Sequence, residues 1–186
     1  MDVPIKMHQE EINQRQTHIL QSARWCFLNF GFKKTSLEDI ANRAHLSRTL
    51  LYKHFKDKEQ IFINVFVEWL VSRQPSAKKV AHSQRSSQER LMQVSQLLIL
   101  EPWADRIGAP MGAEFYDICE QLAPSIVQQH QQFILQCVAV ILQDEMAAKV
   151  FLLALNGQLA DNPTTTELFQ RTKILVDCFT APVSIC

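Results

Sequence analysis

The sequence is poor in the glycines that build the commonest nucleotide-binding loops. Only 4 of its 186 residues are glycine, and neither a GxGxxG nor a GxxxxGK[ST] pattern occurs. Both loops need glycine where the backbone approaches a phosphate, so the sequence argues against a dinucleotide or nucleoside-triphosphate site. The same scarcity disfavours an all-β fold rich in tight turns.

Cysteine is present, but in an arrangement that favours neither a disulfide framework nor a zinc site. The 5 cysteines are odd in number and widely spaced, no CxxC pair occurs, and no cysteine or histidine pair has zinc-ligand spacing. We therefore expect reduced, mostly buried thiols and neither a metal nor a cofactor. The cysteines are Cys26, Cys119, Cys137, Cys178 and Cys186.

Long apolar runs are also missing. The longest, Val150 to Leu155, falls far short of the ~18 residues that a membrane span requires. The N-terminal residues lack the apolar core of a signal peptide. We expect a cytoplasmic protein without membrane contacts.

A net charge of zero looks unfavourable for a nucleic-acid partner, but it is the sum of two opposed halves. Residues 1–90 carry 15 basic and 9 acidic residues, whereas residues 91–186 carry 4 basic and 10 acidic residues. Such an asymmetry indicates one half that faces an anion and another half with a different task.

Helical periodicity runs through almost the whole chain, which predicts an all-α fold of about nine helices. A three-helix head is expected at the N-terminus and a helical dimerisation and ligand domain after it. The polar segment Gln74–Ser87 is predicted to be a loop or a frayed helix end, and Pro102 is predicted to end a helix. The first three helices are predicted over about Glu11–Phe30, Thr35–Ala44 and Ser47–His54 or Phe55.

The second and third predicted helices, joined by His45 and Leu46, have the spacing of a helix-turn-helix. Such a motif places the N-terminal side chains of its second helix against base edges in the major groove. Arginine and lysine there suit guanine or phosphate, and threonine and leucine suit a base edge or a thymine methyl. Hydroxyl, imidazole and ammonium groups around the helix suit phosphates. The predicted DNA-binding residues are Thr35, Ser36, Ser47, Arg48, Thr49, Leu50, Tyr52, Lys53, His54 and Lys58.

The stretch KTSLEDIANRAHLSRTLLYKHFKDKEQIF, from Lys33 to Phe62, resembles the DNA-binding signature of the TetR family of bacterial transcriptional regulators. With Phe30-Gly31-Phe32, the similarity covers about residues 11–70. Members often have glycine where His45 stands, and because histidine tolerates the left-handed region, the turn is expected to survive. The resemblance is carried by Thr35-Ser36-Leu37, Ile40-Ala41, Ala44, Ser47, Leu51-Tyr52, His54-Phe55 and Lys58-Glu59.

The resemblance implies a homodimer of all-helical subunits that binds double-stranded DNA at a near-palindromic operator. It implies a helix-turn-helix domain over residues 1–58 and an effector-binding and dimerisation domain over residues 59–186. It also implies an unknown small-molecule effector whose binding separates the two DNA-reading heads and releases the operator.

The second half of the sequence leaves two interpretations open for its apolar surfaces. Residues 150–155 are apolar on all sides of a helix, so they need cover from two directions, either within the subunit or from a partner. His130 lies on an apolar helix face, either as a core residue or as a polar anchor in a cavity. The last helix has an apolar stripe of Leu168, Thr172, Leu175, Val176 and Phe179, with Ile174 beside it. The candidate ligand-binding residues are Trp103, Phe115, Tyr116, Cys119, His130, Phe133 and Cys137.

Three functions compete on this evidence. The motif favours a ligand-controlled DNA-binding repressor. The scarcity of polar groups for a pocket leaves open an architectural or protein-binding relative without an effector. An enzyme is disfavoured because the sequence contains no HExxH, paired-carboxylate or nucleophile–base motif.

Overall fold

The computed structural model describes residues 3–181, and the side chains of residues 14–181. Over this range the chain is helical and without strands, which confirms the predicted all-α fold. No helix in the described range is long and apolar enough to cross a membrane. The helices are α1 (Val3–Phe30), α2 (Leu37–Arg43), α3 (Arg48–His54), α4 (Lys58–Val71), α5 (Gln74–Ala81), α6 (Ser87–Ser95), α7 (Glu101–Gly108), α8 (Gly112–Leu122), α9 (Pro124–Leu142), α10 (Glu145–Gly157) and α11 (Thr165–Thr180).

Helix α5 occupies the first part of the segment that polar composition predicted to be a loop or a frayed helix end, so the prediction was wrong for Gln74–Ala81. Pro75 lies in the first turn of α5, where a missing N–H costs nothing. Ala77 and Ala81, four residues apart, are completely buried against the core of their unit. Val80 packs partly buried against the same core, so three small side chains anchor a helix that is otherwise largely polar.

The chain does not leave the helix before Pro102, contrary to the sequence prediction. A π-helical turn, Gln96–Leu100, joins α6 to α7, and the N–H of Glu101 donates to the carbonyl of Gln96, five residues earlier. An α-helix would press the proline ring against the carbonyl four residues back. The wider turn relieves that contact, so the chain continues as a helix past Pro102 as far as Gly108.

The chain divides into two compact units. The head unit comprises the residues up to Trp69 together with Arg106–Pro124, and the second unit comprises Leu70–Asp105 and the residues from Ser125 onwards. Most of α4, and all of α8, therefore belong with the three N-terminal helices. The predicted functional boundary between residues 58 and 59 remains a prediction and differs from this structural division.

Aromatic packing holds the head unit together. The ring of Phe62 on α4 lies 5.1 Å from Phe27, 5.0 Å from Phe32 and 4.9 Å from Phe115, measured between ring centroids. Phe27, Phe62 and Phe115 are buried. Tilted and edge-on ring pairs each contribute about 0.5–1.5 kcal/mol beyond the burial of their area. The cluster joins α1, the segment before α2, α4 and α8.

The second unit has its own core, built by α5, α6, α9, α10 and α11. The apolar stripe predicted on the last helix belongs to the subunit interior, because Leu168, Thr172 and Val176 are almost completely buried there. The stripe is therefore not a free dimer surface. The core residues are Ala77, Ala81, Leu91, Val94, Leu98, Cys137, Val138, Ile141, Ala148, Phe151, Leu155 and Val176.

The prediction of mostly buried thiols is confirmed for the cysteines that the structure describes. Cys26, Cys119 and Cys137 are buried, whereas Cys178 on α11 is exposed. Cys186 lies outside the described residues.

Gly31 gives a direct test of the close contact between α1 and α8. Its φ is +84°, and an added Cβ would lie 2.9 Å from Glu114 Oε2 and 3.0 Å from Met111 Cε. We expect Gly31→Ala to lower the free energy of unfolding by about 1–3 kcal/mol, measured by urea denaturation.

The matched control for Gly31→Ala is Gly108→Ala, also in the head unit. An added Cβ at Gly108 meets no atom within 4 Å. This variant should be neutral or stabilising by up to about 1 kcal/mol. Equal losses in the two variants would contradict a specific steric requirement at Gly31.

Candidate nucleic-acid interface

The turn between α2 and α3 forms as predicted, with histidine in place of glycine. His45 has a φ of 53°, in the left-handed region. The N–H of Leu46 donates to the carbonyl of Ala41 at 2.9 Å, which closes the end of α2. His18 Nε2 lies 3.1 Å from the carbonyl oxygen of Ala44 and links α1 to the turn. The direction in which α3 leaves α2 is therefore set by hydrogen bonds on both sides of His45.

Helix α3 is anchored on a thin apolar face, as its sequence predicted. Ser47 caps the helix and accepts from the N–H of Leu50 at 3.2 Å. Leu51 and Phe55 are buried and fix one side of α3. The opposite side is left for a partner. The outward residues are the exposed Ser47, Arg48, Thr49, Tyr52 and Lys53 and the half-buried Leu50 and His54.

The second helix was predicted to start at Thr35. In the structure, the residue that caps α2 is Ser36, one position later. The N–H of Asp39 donates to Ser36 Oγ at 3.1 Å, and the N–H and hydroxyl of Ser36 donate back to Asp39 Oδ2. Those hydrogen bonds lower the pKa of the Asp39 carboxyl. Thr35 is buried, and its hydroxyl donates to the carbonyl of Gly31 at 2.7 Å. Thr35 thus stabilises the connection between α1 and α2, whereas Ser36 lies at the exposed N-terminus of α2.

Lys58 has protein partners that its sequence position did not predict. Its Nζ donates to the carbonyl oxygens of Phe32 at 2.7 Å and Thr35 at 2.8 Å. It also lies 4.4 Å from the centroid of the Phe32 ring. Burial lowers the pKa of this lysine. These two carbonyls offset part of the charge of Lys58 within the protein, and its contact with DNA remains a prediction.

Exposed cations lie on α3 and just before α2. Arg48 Nη1 lies 3.9 Å from Glu38 Oε2, with side chains 56% and 64% exposed. Such a loose surface pair contributes little, so an incoming phosphate can replace the carboxylate. Lys33 and Lys34, just before α2, are also exposed. The predicted site omitted both lysines, although their position beside Ser36 could have indicated them.

The candidate ligand residues are divided between the two units. Phe115, Tyr116 and Cys119 lie on α8 in the head unit, where Phe115 and Tyr116 join the aromatic cluster. Burial raises the pKa of the Cys119 thiol. The other four lie in the second unit: Trp103, His130, Phe133 and Cys137.

Two of the candidates in the second unit have hydrogen-bond partners within that unit. Trp103 Nε1 donates to the carbonyl of Pro163 at 2.9 Å. Gln74 Nε2 lies 3.4 Å from His130 Nδ1, which suits an amide donor facing an unprotonated ring nitrogen. Burial, and then the charge of Arg73, lower the pKa of His130 to about 4. This geometry supports the interpretation of His130 as a core residue with a satisfied hydrogen bond.

Comparison with known proteins agrees with this geometry. Residues 19–65 match the family described as bacterial regulatory proteins, tetR family. The HTH-type transcriptional repressor KstR2 of Mycolicibacterium smegmatis is 40% identical over 62 residues. That alignment spans 32% of this chain and only 30% of the relative.

Solved structures extend the similarity to the fold of the second half. A protein from Mesorhizobium loti assigned to TetR-family transcriptional regulators superposes with a TM-score of 0.72 at 19% identity, covering 91% of this chain and 96% of that one. SmeT, the repressor of the Stenotrophomonas maltophilia multidrug efflux pump SmeDEF, superposes in its triclosan complex with a TM-score of 0.64 at 17% identity, covering 90% of each chain.

A capped recognition helix, presented by a closed turn on a three-helix head, defines a helix-turn-helix protein. The residues that match the family run from within α1 to within α4 and include α2, the turn at His45 and α3. Residues 19–65 therefore belong to the TetR family of bacterial regulatory proteins, and the described chain as a whole shares the fold of structures assigned to that family.

The structural role assigned to Lys58 can be tested with Lys58→Met, which keeps most of the apolar stem and removes the ammonium. We expect the variant to lose about 1.5–3 kcal/mol of unfolding free energy, because two carbonyls lose a charged donor. The control is Lys56→Met, since Lys56 is exposed beside the same helix start. A stability unchanged in Lys58→Met, with weaker DNA binding, would instead assign Lys58 to a phosphate.

Proposed function

We propose that this protein is a DNA-binding transcriptional repressor that a small molecule releases from its operator. The observation that carries the proposal is the outward face of α3, where Arg48, Thr49 and Lys53 are exposed on a helix anchored by Leu51. Those side chains suit base edges and phosphates in a major groove. The repressor named among the relatives supports the same assignment.

Homodimerisation is part of this proposal and is supported by an unpartnered face in the second unit. Met146, Val150 and Leu153 on α10 are exposed, at 66%, 48% and 72%, although all three are apolar. The opposite face of α10 is already buried in the core through Phe151 and Leu155. A helix with two apolar faces needs a second cover, and a second copy of the chain would provide it. Ile174 on α11, 65% exposed, would extend that surface.

A dimer of this kind would read two half-sites of a near-palindrome, about 34–36 Å apart. A ligand would release the operator only if it binds more tightly to a form of the dimer whose head spacing does not fit the two half-sites. The triclosan complex of SmeT shows a ligand on a protein of this fold and supports a ligand-responsive regulator. A ligand that binds tightly without changing operator affinity would rule out the switch.

The DNA-binding face is tested by binding to the DNA upstream of the protein's own gene, across a series of salt concentrations. We expect Arg48→Ala to weaken specific binding by about 1–3 kcal/mol and to relax sequence preference. Tyr52→Phe should weaken binding by about 1 kcal/mol through loss of one hydrogen bond to a phosphate. Fluorescence anisotropy measures both effects.

The matched control for the DNA experiment is Lys173→Ala, which removes an exposed cation from the second unit. Its affinity should equal that of the unsubstituted protein. If that protein shows neither specific binding nor a salt-dependent affinity, the proposed function is wrong.

The dimer surface is tested with Val150→Glu and Ile174→Glu. Both side chains are exposed, so a charge there should leave the subunit folded while it opposes burial in an interface. We expect sedimentation to show a dimer for the unsubstituted protein and a shift towards monomer for both variants. Gln136→Glu, at an exposed position on α9, should stay dimeric. Unchanged dimers in all three variants would place the interface elsewhere.

A further inference from the structure

A groove runs along the second unit between α9 and α10, and the residues predicted to bind a ligand do not line it. Its volume is about 590 Å³, and Ile99 of the π-helical turn contributes to its wall. Cavities that hold drug-sized molecules have about 300–1,000 Å³. The groove is therefore large enough for a small molecule.

The two helices line the groove with the same spacing. Helix α9 contributes Gln128, Gln131, Gln132 and Leu135, at i, i+3, i+4 and i+7, together with Ile134, and α10 contributes Lys149, Leu152, Leu153 and Asn156 with the same intervals. Seven residues of helix rise by about 10 Å, which gives the length of the lined face.

The lining is polar at one end and apolar towards the other. Only Gln143 and Asp144 separate α9 from α10, and Gln143 has a φ of 56°. Such a short connection makes neighbouring helices antiparallel, so the early glutamines of α9 face the end of α10, where Asn156 lies. Leu135 and Leu152 lie further along, towards the connection. A molecule lying in the groove would meet carboxamides at one end, and aliphatic side chains together with Lys149 at the other.

Charge is nearly absent from this lining. Lys149 is the charged residue that lines the groove, and its Nζ lies 2.6 Å from Glu145 Oε1. The four carboxamides are exposed, and within the part of the chain that the structure describes they have no side-chain hydrogen-bond partner. A neutral amide gives up water at a far lower cost than an ion does, and it can both donate and accept. A helix face that contacts only solvent usually carries charged side chains, and this face carries one.

We propose that the groove binds an uncharged amphipathic small molecule, with an aliphatic or aromatic body about 10 Å long and one amide, carbonyl or hydroxyl head. The head exchanges hydrogen bonds with Gln128, Gln131 and Asn156, and the body covers Ile99, Leu135 and Leu152. Leu153 belongs both to the groove and to the exposed apolar face of α10, so a molecule in the groove lies beside the proposed dimer surface. That position suits an effector. The effector role rests on the proposed function, whereas binding of a molecule in the groove does not depend on it.

The test uses three probes with the same eight-carbon chain and different heads: octanamide, octanoate and octylammonium. Titrations of the full-length protein, followed by ¹H–¹⁵N spectra of side-chain amides and by calorimetry, give the affinities. We expect octanamide to bind most tightly and to shift the carboxamide signals of Gln128, Gln131 and Asn156. Gln128→Ala and Gln131→Ala should each weaken octanamide by about fivefold, the equivalent of one hydrogen bond.

Gln129→Ala is the matched control, since Gln129 is exposed on the same helix and does not line the groove. It should leave octanamide affinity unchanged. Equal effects of Gln129→Ala and Gln131→Ala, equal binding of all three probes, or no octanamide binding at 10 mM would each overturn the proposed site. Dimerisation that weakens in Gln131→Ala while no probe binds would assign the groove to a second copy of the chain.

A parallel measurement of operator affinity separates this proposal from the proposed function. Octanamide binding without any specific DNA binding would keep the site and refute the repressor. Octanamide binding that leaves operator affinity unchanged would keep the site and refute its role as an effector site. Specific DNA binding without octanamide binding would refute the site alone.

Discussion

Phe62 on α4 packs against Phe27, Phe32 and Phe115, and through these rings α1, the segment before α2 and α8 share one aromatic cluster. Lys58 lies one turn earlier on the same helix and donates to the carbonyls of Phe32 and Thr35. The start of α2 is thereby fixed relative to α4 by both apolar and polar contacts. Because α3 follows α2 through the closed turn at His45, the direction of the recognition helix depends on the position of Phe62.

The polar residues of the head have two different tasks. Thr35 and Lys58 direct their donors to carbonyls of the turn, and so hold the motif in shape. Arg48, Tyr52 and Lys53 are exposed on α3 and are available to a partner. This division explains how a head unit with as many acidic as basic residues can present a positive face. The cations of α3 are exposed, while the half-buried Lys58 directs its ammonium to carbonyls of the head itself.

Much of the head was predictable because its signals are local. A helix cap joins atoms three residues apart, so Ser47 could be recognised as the cap of α3 from spacing alone. The left-handed conformation of His45 follows from the same short-range sterics. The cap of α2 was misassigned by one residue, since Thr35 and Ser36 are adjacent hydroxyl residues and only burial of Thr35 distinguishes them.

The sequence by itself determined the all-helical fold, the helix-turn-helix and the residues that α3 presents, because these depend on periodicity and on hydrogen bonds within one or two turns. Only the tertiary structure decided which apolar faces are covered. It buried Thr172 and Val176 inside the subunit, left Leu153 and Ile174 exposed, and gave Lys58 two carbonyl partners more than twenty residues away. Burial depends on which distant segments meet, and a face that is apolar in sequence carries no record of the segment that will cover it.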